Sequence, residues 1–204
     1  MRMRNKKHAA ERIEAQSNML LKDISETKEV SAPHIEIGCG KGGFISELAS
    51  QNPDINYIAI EKNTNVMVLA MEKTAAKGVL NVKFLLGDAT SLEELDAAAF
   101  CGRIYLNFSD PWPKKKQHKR RLTSPQFLEI YKKILLPDGE IHLKTDNRGL
   151  FEYSIETLSQ NGFKLKEVSL DLHASDFEGN VMTEYETRFS EEGMPIYRLV
   201  AYRY

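Results

Sequence analysis

A doubly wound, mostly parallel α/β sheet with helices on both faces is the fold this sequence predicts, and three observations predict it. Short apolar runs alternate with helical patterns between residues 34 and 161. A glycine-rich turn follows the first of these runs, where a strand passes into a helix. Polar residues suited to chemistry cluster at the carboxyl ends of the runs (36–43, 61, 88, 107–121 and 146), where open α/β sheets bind their ligands.

In chain order, residues 8–29 read as a helix of mixed character. Strands are expected at 34–37, 56–60, 82–86, 103–108 and 140–145, and helices near 43–51, 64–77, 125–135 and 148–161. The helix at 125–135 presents Phe127, Leu128, Tyr131, Ile134 and Leu135 on one face. Ser124-Pro125 supplies its N-cap and a proline at the first helical position. Pro137-Asp138-Gly139 turns the chain into the next strand. From Phe163 the rhythm changes, and 163–172 and 196–203 read as two long strands joined by a polar loop, an antiparallel pair at one sheet edge.

At 204 residues the chain fits one domain, 1–204, with a basic N-terminal extension. No uncharged apolar run approaches the ~18–20 residues of a membrane span. The N-terminus lacks the apolar stretch of a secretory signal. Two cysteines, Cys39 and Cys101, make no CxxC pair, and the five histidines show neither HxH nor HExxH spacing. A cytoplasmic chain with no metal and no membrane partner is expected, either monomer or homodimer. Charge is unevenly placed: the whole chain carries −1, residues 114–121 carry +6, residues 1–7 carry +4, and the remainder is acidic. Two basic segments on an acidic body point to a directed polyanion contact, or to solvated charge runs.

Six constellations carry chemistry. Glu36-Ile-Gly-Cys-Gly-Lys-Gly-Gly43 joins the first strand to its helix. Its glycines let backbone pass close to a ligand, and Gly38, Gly40 and Gly43 formally satisfy a dinucleotide fingerprint. Glu36, however, would repel a pyrophosphate and suits the ammonium of an amino-acid-bearing cofactor such as S-adenosylmethionine. Glu61 closes an apolar strand where an acid accepts from ribose hydroxyls, or opens a surface loop. Asp88 and Ala89 offer an acceptor and an N–H to an adenine, or form a helix cap. In Asn107-Phe-Ser-Asp-Pro-Trp-Pro-Lys114 two prolines stiffen the backbone around Asp110, which can hydrogen-bond a planar base, while the following cations grip phosphates. Trp112 is a base-stacking or a packing residue. Asp146, in Leu143-Lys-Thr-Asp-Asn147, stands at the end of the next strand, and Thr183-Glu-Tyr-Glu186 lies in the loop between the last two strands.

Together, Glu36-Ile-Gly-Cys-Gly-Lys-Gly, Glu61, Asp88-Ala89, Asn107-Phe-Ser-Asp-Pro-Trp-Pro-Lys, Lys144-Thr-Asp146 and Thr183-Glu-Tyr-Glu186 resemble the bacterial tRNA (guanine-N7)-methyltransferases of the TrmB type. In order and spacing the resemblance runs the length of the chain. It implies the class I methyltransferase fold, about seven strands with one antiparallel edge strand. It also implies S-adenosylmethionine as methyl donor, tRNA as partner, and the guanine at position 46 of the variable loop as target. By resemblance, Glu36, Gly38, Gly40, Glu61, Asp88, Ala89 and Asp110 are cofactor ligands, and Asp110 is also catalytic. Lys114, Asp146, Thr183, Glu184, Tyr185 and Glu186 contact substrate, and Lys116, Gln117, His118, Lys119, Arg120 and Arg121 contact RNA. Three rival readings remain at this point: a nicotinamide-dependent oxidoreductase, a small-molecule methyltransferase, and a non-catalytic RNA-binding protein on a cofactor fold. Glu36 weighs against the first, the basic strip against the second, and the acids at 36, 61, 88, 110 and 146 against the third.

Overall fold

The computed structural model describes residues 9–95 and 98–203. The basic segment 1–7 lies outside the described residues. The chain divides into two compact units, Met1–Leu95 and Asp96–Tyr204.

In the first unit four strands, β1 (Leu20–Leu21), β2 (His34–Ile37), β3 (Tyr57–Glu61) and β4 (Val82–Leu86), lie in the order β1-β4-β3-β2, all parallel. Helices α1 (Ala9–Glu14), α2 (Gly43–Gln51) and α3 (Thr64–Ala76) accompany them. The central β3 is a continuous apolar run over Tyr57–Ile60, buried throughout, as a strand covered on both faces requires. Ile35, Ile58, Ala59 and Phe84 are fully buried with Met67, Val68 and Met71 of α3. α1 is tied to α3 by a two-pronged ion pair, Arg12 Nε to Glu72 Oε1 at 2.7 Å and Arg12 Nη2 to Glu72 Oε2 at 2.6 Å.

The expected helix over 8–29 is not continuous. After α1 the described chain forms a 3-10 turn, then β1, then a 3-10 helix over Ile24–Glu29. Leu20 and Leu21 pair with Phe84 and Leu85, and Asp23 accepts from Ser25 N at 2.8 Å, starting a new turn. A tertiary strand pairing overrides local helix propensity here.

In the second unit β5 (Cys101–Asn107), β6 (Leu135–Thr145), β7 (Phe163–Ser169) and β8 (Tyr197–Arg203) lie in the order β5-β6-β8-β7. β5 and β6 are parallel, and β8 runs antiparallel to both its neighbours. The antiparallel strand thus stands one in from the edge, with β7 outside it. α4 (Pro125–Ile134), α5 (Arg148–Gln160) and α6 (Glu184–Glu191) belong to this unit. Its core gathers Ile104, Leu106, Leu128, Tyr131, Ile141, Leu143, Phe151 and Leu199. The Pro137-Gly139 turn bulges out of the β5–β6 pairing, which jumps from Cys101↔Leu135 to Arg103↔Glu140. Ser124 occupies the N-cap of α4, but its hydroxyl donates to Lys119 O at 3.1 Å and does not cap the helix. α6 arises where a polar loop is expected, so Thr183-Glu-Tyr-Glu186 is a helix start.

Candidate functional site

The first unit builds a cradle at the carboxyl ends of β2, β3 and β4. Gly38 and Gly40 have φ of +80° and +56°, and a Cβ placed on either would meet no atom within 4 Å. Backbone with positive φ facing open space is what close approach of a ligand requires. Gly42 differs: a Cβ there would lie 2.7 Å from Ala70 Cβ, so this glycine serves the packing of α2 on α3. Sequence reasoning passed over it.

Glu61 organises the turn. Its Oε2 accepts from Gly40 N at 3.1 Å and its Oε1 from Asn63 N at 2.9 Å. Each oxygen keeps further lone-pair capacity, so a ligand's hydroxyls find an acceptor already oriented by two backbone N–H groups. Leu86, the register partner of Glu61 on β4, is an apolar residue 43% exposed at the strand end. Glu36, on β2 two residues before Gly38, is only 2% exposed. Asp88 is exposed and caps the 3-10 helix Ala89–Glu94, its Oδ1 accepting from Thr90 N and Thr90 Oγ1, each at 3.1 Å; Ala89 is buried beside it. The cradle thus offers a ligand a strand-end acid oriented by two backbone N–H groups, an exposed apolar residue beside it, and a buried carboxylate two residues before the glycine turn.

The second unit builds a rim of three segments. The first, 107–121, leaves β5 at the buried Asn107. Phe108 and Trp112 take φ of +50° and +41°, a conformation bulky residues rarely adopt. Such strain persists only where surroundings enforce it, and it gathers at functional sites. Phe108 N donates to Lys144 O at 2.8 Å. Asp110 is exposed between the two strained residues. Lys114, Lys116, Lys119 and Arg120 are also exposed, whereas Gln117 and His118 are half-buried. The guanidinium of Arg120 lies 3.6 Å from the centre of the Trp112 ring, covering one face of it. The His118 ring meets the Tyr153 ring edge-on at 5.4 Å.

Arg121 behaves unlike its neighbours. It is 6% exposed, donates from Nε to Pro111 O at 2.8 Å and from Nη2 to Trp112 O at 3.3 Å, and lies 4.3 Å over the Tyr153 ring. Burial draws its pKa below the ordinary guanidinium value.

The second rim segment is the end of β6. Lys144 is buried there, and its Nζ donates to Glu186 Oε2 at 2.5 Å, Val181 O at 2.8 Å and Asn180 Oδ1 at 3.1 Å. Asp146 follows, half-buried, just before Asn147 caps α5 by accepting from Leu150 N at 2.8 Å. The third segment is the start of α6. Thr183 Oγ1 accepts from Glu186 N at 2.9 Å, which makes it the N-cap. Glu184 and Tyr185 are exposed. Glu186 is fully buried; its Oε1 accepts from Asn180 Nδ2 at 2.5 Å and lies 3.3 Å from His173 Nε2. Thus Glu186 and Arg121, expected to face substrate and RNA, sit in buried networks, and Lys144 and Tyr153, absent from the expected site, hold them.

A solved antibiotic-related methyltransferase superposes with a TM-score of 0.63 at 18% identity, covering 100% of this chain and 97% of its own. The 16S rRNA methyltransferase KamB superposes with a TM-score of 0.63 at 14% identity, covering 88% and 92%. Both show the fold to be that of a methyltransferase of the doubly wound α/β kind. A family model described as "Putative methyltransferase" matches residues 31–199. Two curated relatives from Streptococcus pneumoniae, strains CGSP14 and 70585, each named tRNA (guanine-N(7)-)-methyltransferase, are 51% identical to it over 98% of this chain and 99% of theirs. The chain belongs to the tRNA (guanine-N7)-methyltransferase family. Among the described residues no helix is long and apolar enough to cross a membrane.

Proposed function

We propose that this enzyme transfers the methyl group of S-adenosylmethionine to N7 of a guanine in tRNA, at position 46 of the variable loop, in the cytoplasm. The observation that carries the reading is kinship over 98% of the chain with relatives named for that reaction, an extent that includes both cradle and rim. The family model spans residues from both compact units, which supports reading the chain as one methyltransferase domain.

When bound, S-adenosylmethionine supplies an electrophilic methyl on a sulfonium. In the cradle, Glu36 holds the ammonium, Gly38 and Gly40 admit the ligand close to backbone, and Glu61 accepts from the ribose hydroxyls. Asp88 accepts from the adenine amine, Ala89 donates its N–H to the ring, and Leu86 covers the purine. On the rim, Asp110 accepts from guanine N1–H and the 2-amino group. Asp146, Lys114 and the Thr183–Tyr185 cap hold the nucleotide around it. Lys116, Lys119 and Arg120 grip phosphates, with Gln117 and His118 in the same turn.

Guanine N7 presents a bare lone pair, so no proton leaves the attacking atom and no strong general base is needed. Positive charge passes to the purine, and a fixed carboxylate such as Asp110 stabilises it as it develops. In-line positioning supplies the larger share, up to ~7–11 kcal/mol in ideal cases.

The test is methyl transfer from labelled donor to unmodified tRNA, followed by nucleoside analysis. Label in N7-methylguanosine is expected, and Asp110→Asn lowers turnover by about 100-fold, the order found on removing one oriented electrostatic group. Label in another nucleoside discards the guanine-reading roles.

A further inference from the structure

The basic strip 114–121 reads as one phosphate-gripping segment, yet the fold divides it. Five of its cations, Lys114, Lys115, Lys116, Lys119 and Arg120, are exposed. Arg121 is buried, and two of its N–H groups are committed to carbonyls of its own chain, Pro111 O at 2.8 Å and Trp112 O at 3.3 Å. Those carbonyls belong to the two residues that follow Asp110. One of them, Trp112, is held at φ +41°, a strained conformation that needs an enforcing partner.

Withdrawing Arg121 to meet a phosphate would break both bonds and abandon the Tyr153 ring 4.3 Å beneath its guanidinium. The ends of the residue are fixed as well. Arg121 N donates to His118 O at 3.1 Å, and Arg121 O accepts from Ser124 N at 2.9 Å, at the entrance to α4. A guanidinium suits this place because its planar fork presents two donors at a fixed angle to two successive carbonyls; an ammonium has no such fork.

We propose that Arg121 is a positioning residue: it clamps the Pro111-Trp112 carbonyls so that the Asp110 carboxylate is held for guanine, and it makes no phosphate contact. The proposal rests on the reading of Asp110 as the guanine-orienting group. Tyr153, whose ring supports the clamp, acts with it.

Arg121→Lys is compared with Lys119→Gln in single-turnover methylation and in tRNA binding across a salt series. Arg121→Lys lowers the methyl-transfer rate by about 10- to 100-fold, the scale expected for an ångström-sized misplacement. Its dependence of log Kd for tRNA on log salt stays parallel to the parent's, and its Kd for S-adenosylmethionine is unchanged. Lys119→Gln flattens that dependence by roughly 0.7–0.9. In an Asp110→Asn background, Arg121→Lys costs little further rate, because the group it positions is gone. A flattened salt dependence in Arg121→Lys overturns the proposal, since it reports a lost phosphate. Equal fold losses with and without Asp110 overturn the clamp while leaving the Asp110 reading intact. Near-parent turnover of Asp110→Asn alone removes that reading and the proposal together. Should Arg121→Lys fail to fold, Tyr153→Phe and Tyr153→Leu replace it. Phe keeps the ring beneath the guanidinium and keeps the rate, Leu loses rate at the parent salt dependence, and equal rates for the two overturn the proposal.

Discussion

The cradle of the first unit and the rim of the second are built by different means. The cradle is set by backbone: Gly40 N and Asn63 N fix Glu61, and Gly38 and Gly40 leave open space where side chains would stand. The rim is set by buried cations reaching across long stretches of sequence: Arg121 to Tyr153, and Lys144 to Glu186 forty-two residues away. A ligand of constant shape suits a rigid backbone mould, whereas a rim of three separate segments has to be held together by side chains. The second construction is the more fragile, because removing one partner leaves a buried charge without compensation.

The largest effect expected follows from that fragility. Lys144→Met leaves the fully buried Glu186 facing Asn180 and His173 alone, and should destabilise the protein by about 3–5 kcal/mol. Lys144→Met combined with Glu186→Met removes both charges and should recover most of the loss. Urea midpoints for the two variants decide the matter. If the single variant is no less stable than the double, the pair does not hold the rim.

The same contrast governs what could be read from sequence. β2 and β4 were legible to the residue, at 34–37 and 82–86, because apolar runs bounded by turn residues are local signals. Glu61 and the glycines were legible because strand-end positions and short spacings define the cradle. The break in 8–29 was not, since it depends on Leu20 and Leu21 finding Phe84 and Leu85. Nor was the difference between Arg120 and Arg121, identical residue types of which one covers Trp112 from solvent and the other is buried on Tyr153. The start of α6 did carry a signal: Thr183 and Glu186 have the spacing of a capping box. Here Thr183 caps, but the Glu186 carboxylate goes to Lys144 instead of back to the Thr183 backbone.

Acid should find the second unit through the other end of β6. Glu140 Oε2 lies 2.8 Å from His142 Nε2 and 3.0 Å from Arg103 Nη2, and Glu140 Oε1 lies 2.5 Å from Lys166 Nζ. Burial, aided by the charges of Arg103 and Arg198, pulls His142 down to about 4 despite its bond to Glu140. Below the ordinary value of 6.5 the unfolded chain takes up a proton that the folded chain refuses, so stability falls as pH drops from about 6.5 to 4, by up to about 3 kcal/mol. Burial pushes Glu140 up, but its bonds to His142 and Lys166 and the nearby charges outweigh this and bring it to about 2. Its contribution is lost only as pH falls further, from the ordinary carboxylate range towards 2. Urea midpoints between pH 7 and 4 should therefore fall more steeply for the parent than for His142→Gln, which cannot titrate. Parallel curves would place the acid sensitivity elsewhere.

The smallest effects test the cradle, where two glycines of like backbone should answer differently. Gly42→Ala combines φ of +76° with a methyl pressed to 2.7 Å from Ala70 Cβ and 2.8 Å from its Cα, and a helix backbone yields little. Strain and overpacking together should cost about 2–3 kcal/mol, read in the urea midpoint. Gly38→Ala carries φ of +80° but meets nothing within 4 Å, so strain of roughly 1 kcal/mol is all it adds to folding. Its methyl instead enters the space proposed for S-adenosylmethionine. Calorimetric titration with the cofactor should therefore weaken for Gly38→Ala far more than its stability does, with the reverse order for Gly42→Ala. Equal affinity in Gly38→Ala and the parent would mean that the ligand does not pass over this glycine, and the backbone-built cradle would lose its binding role while keeping its geometry.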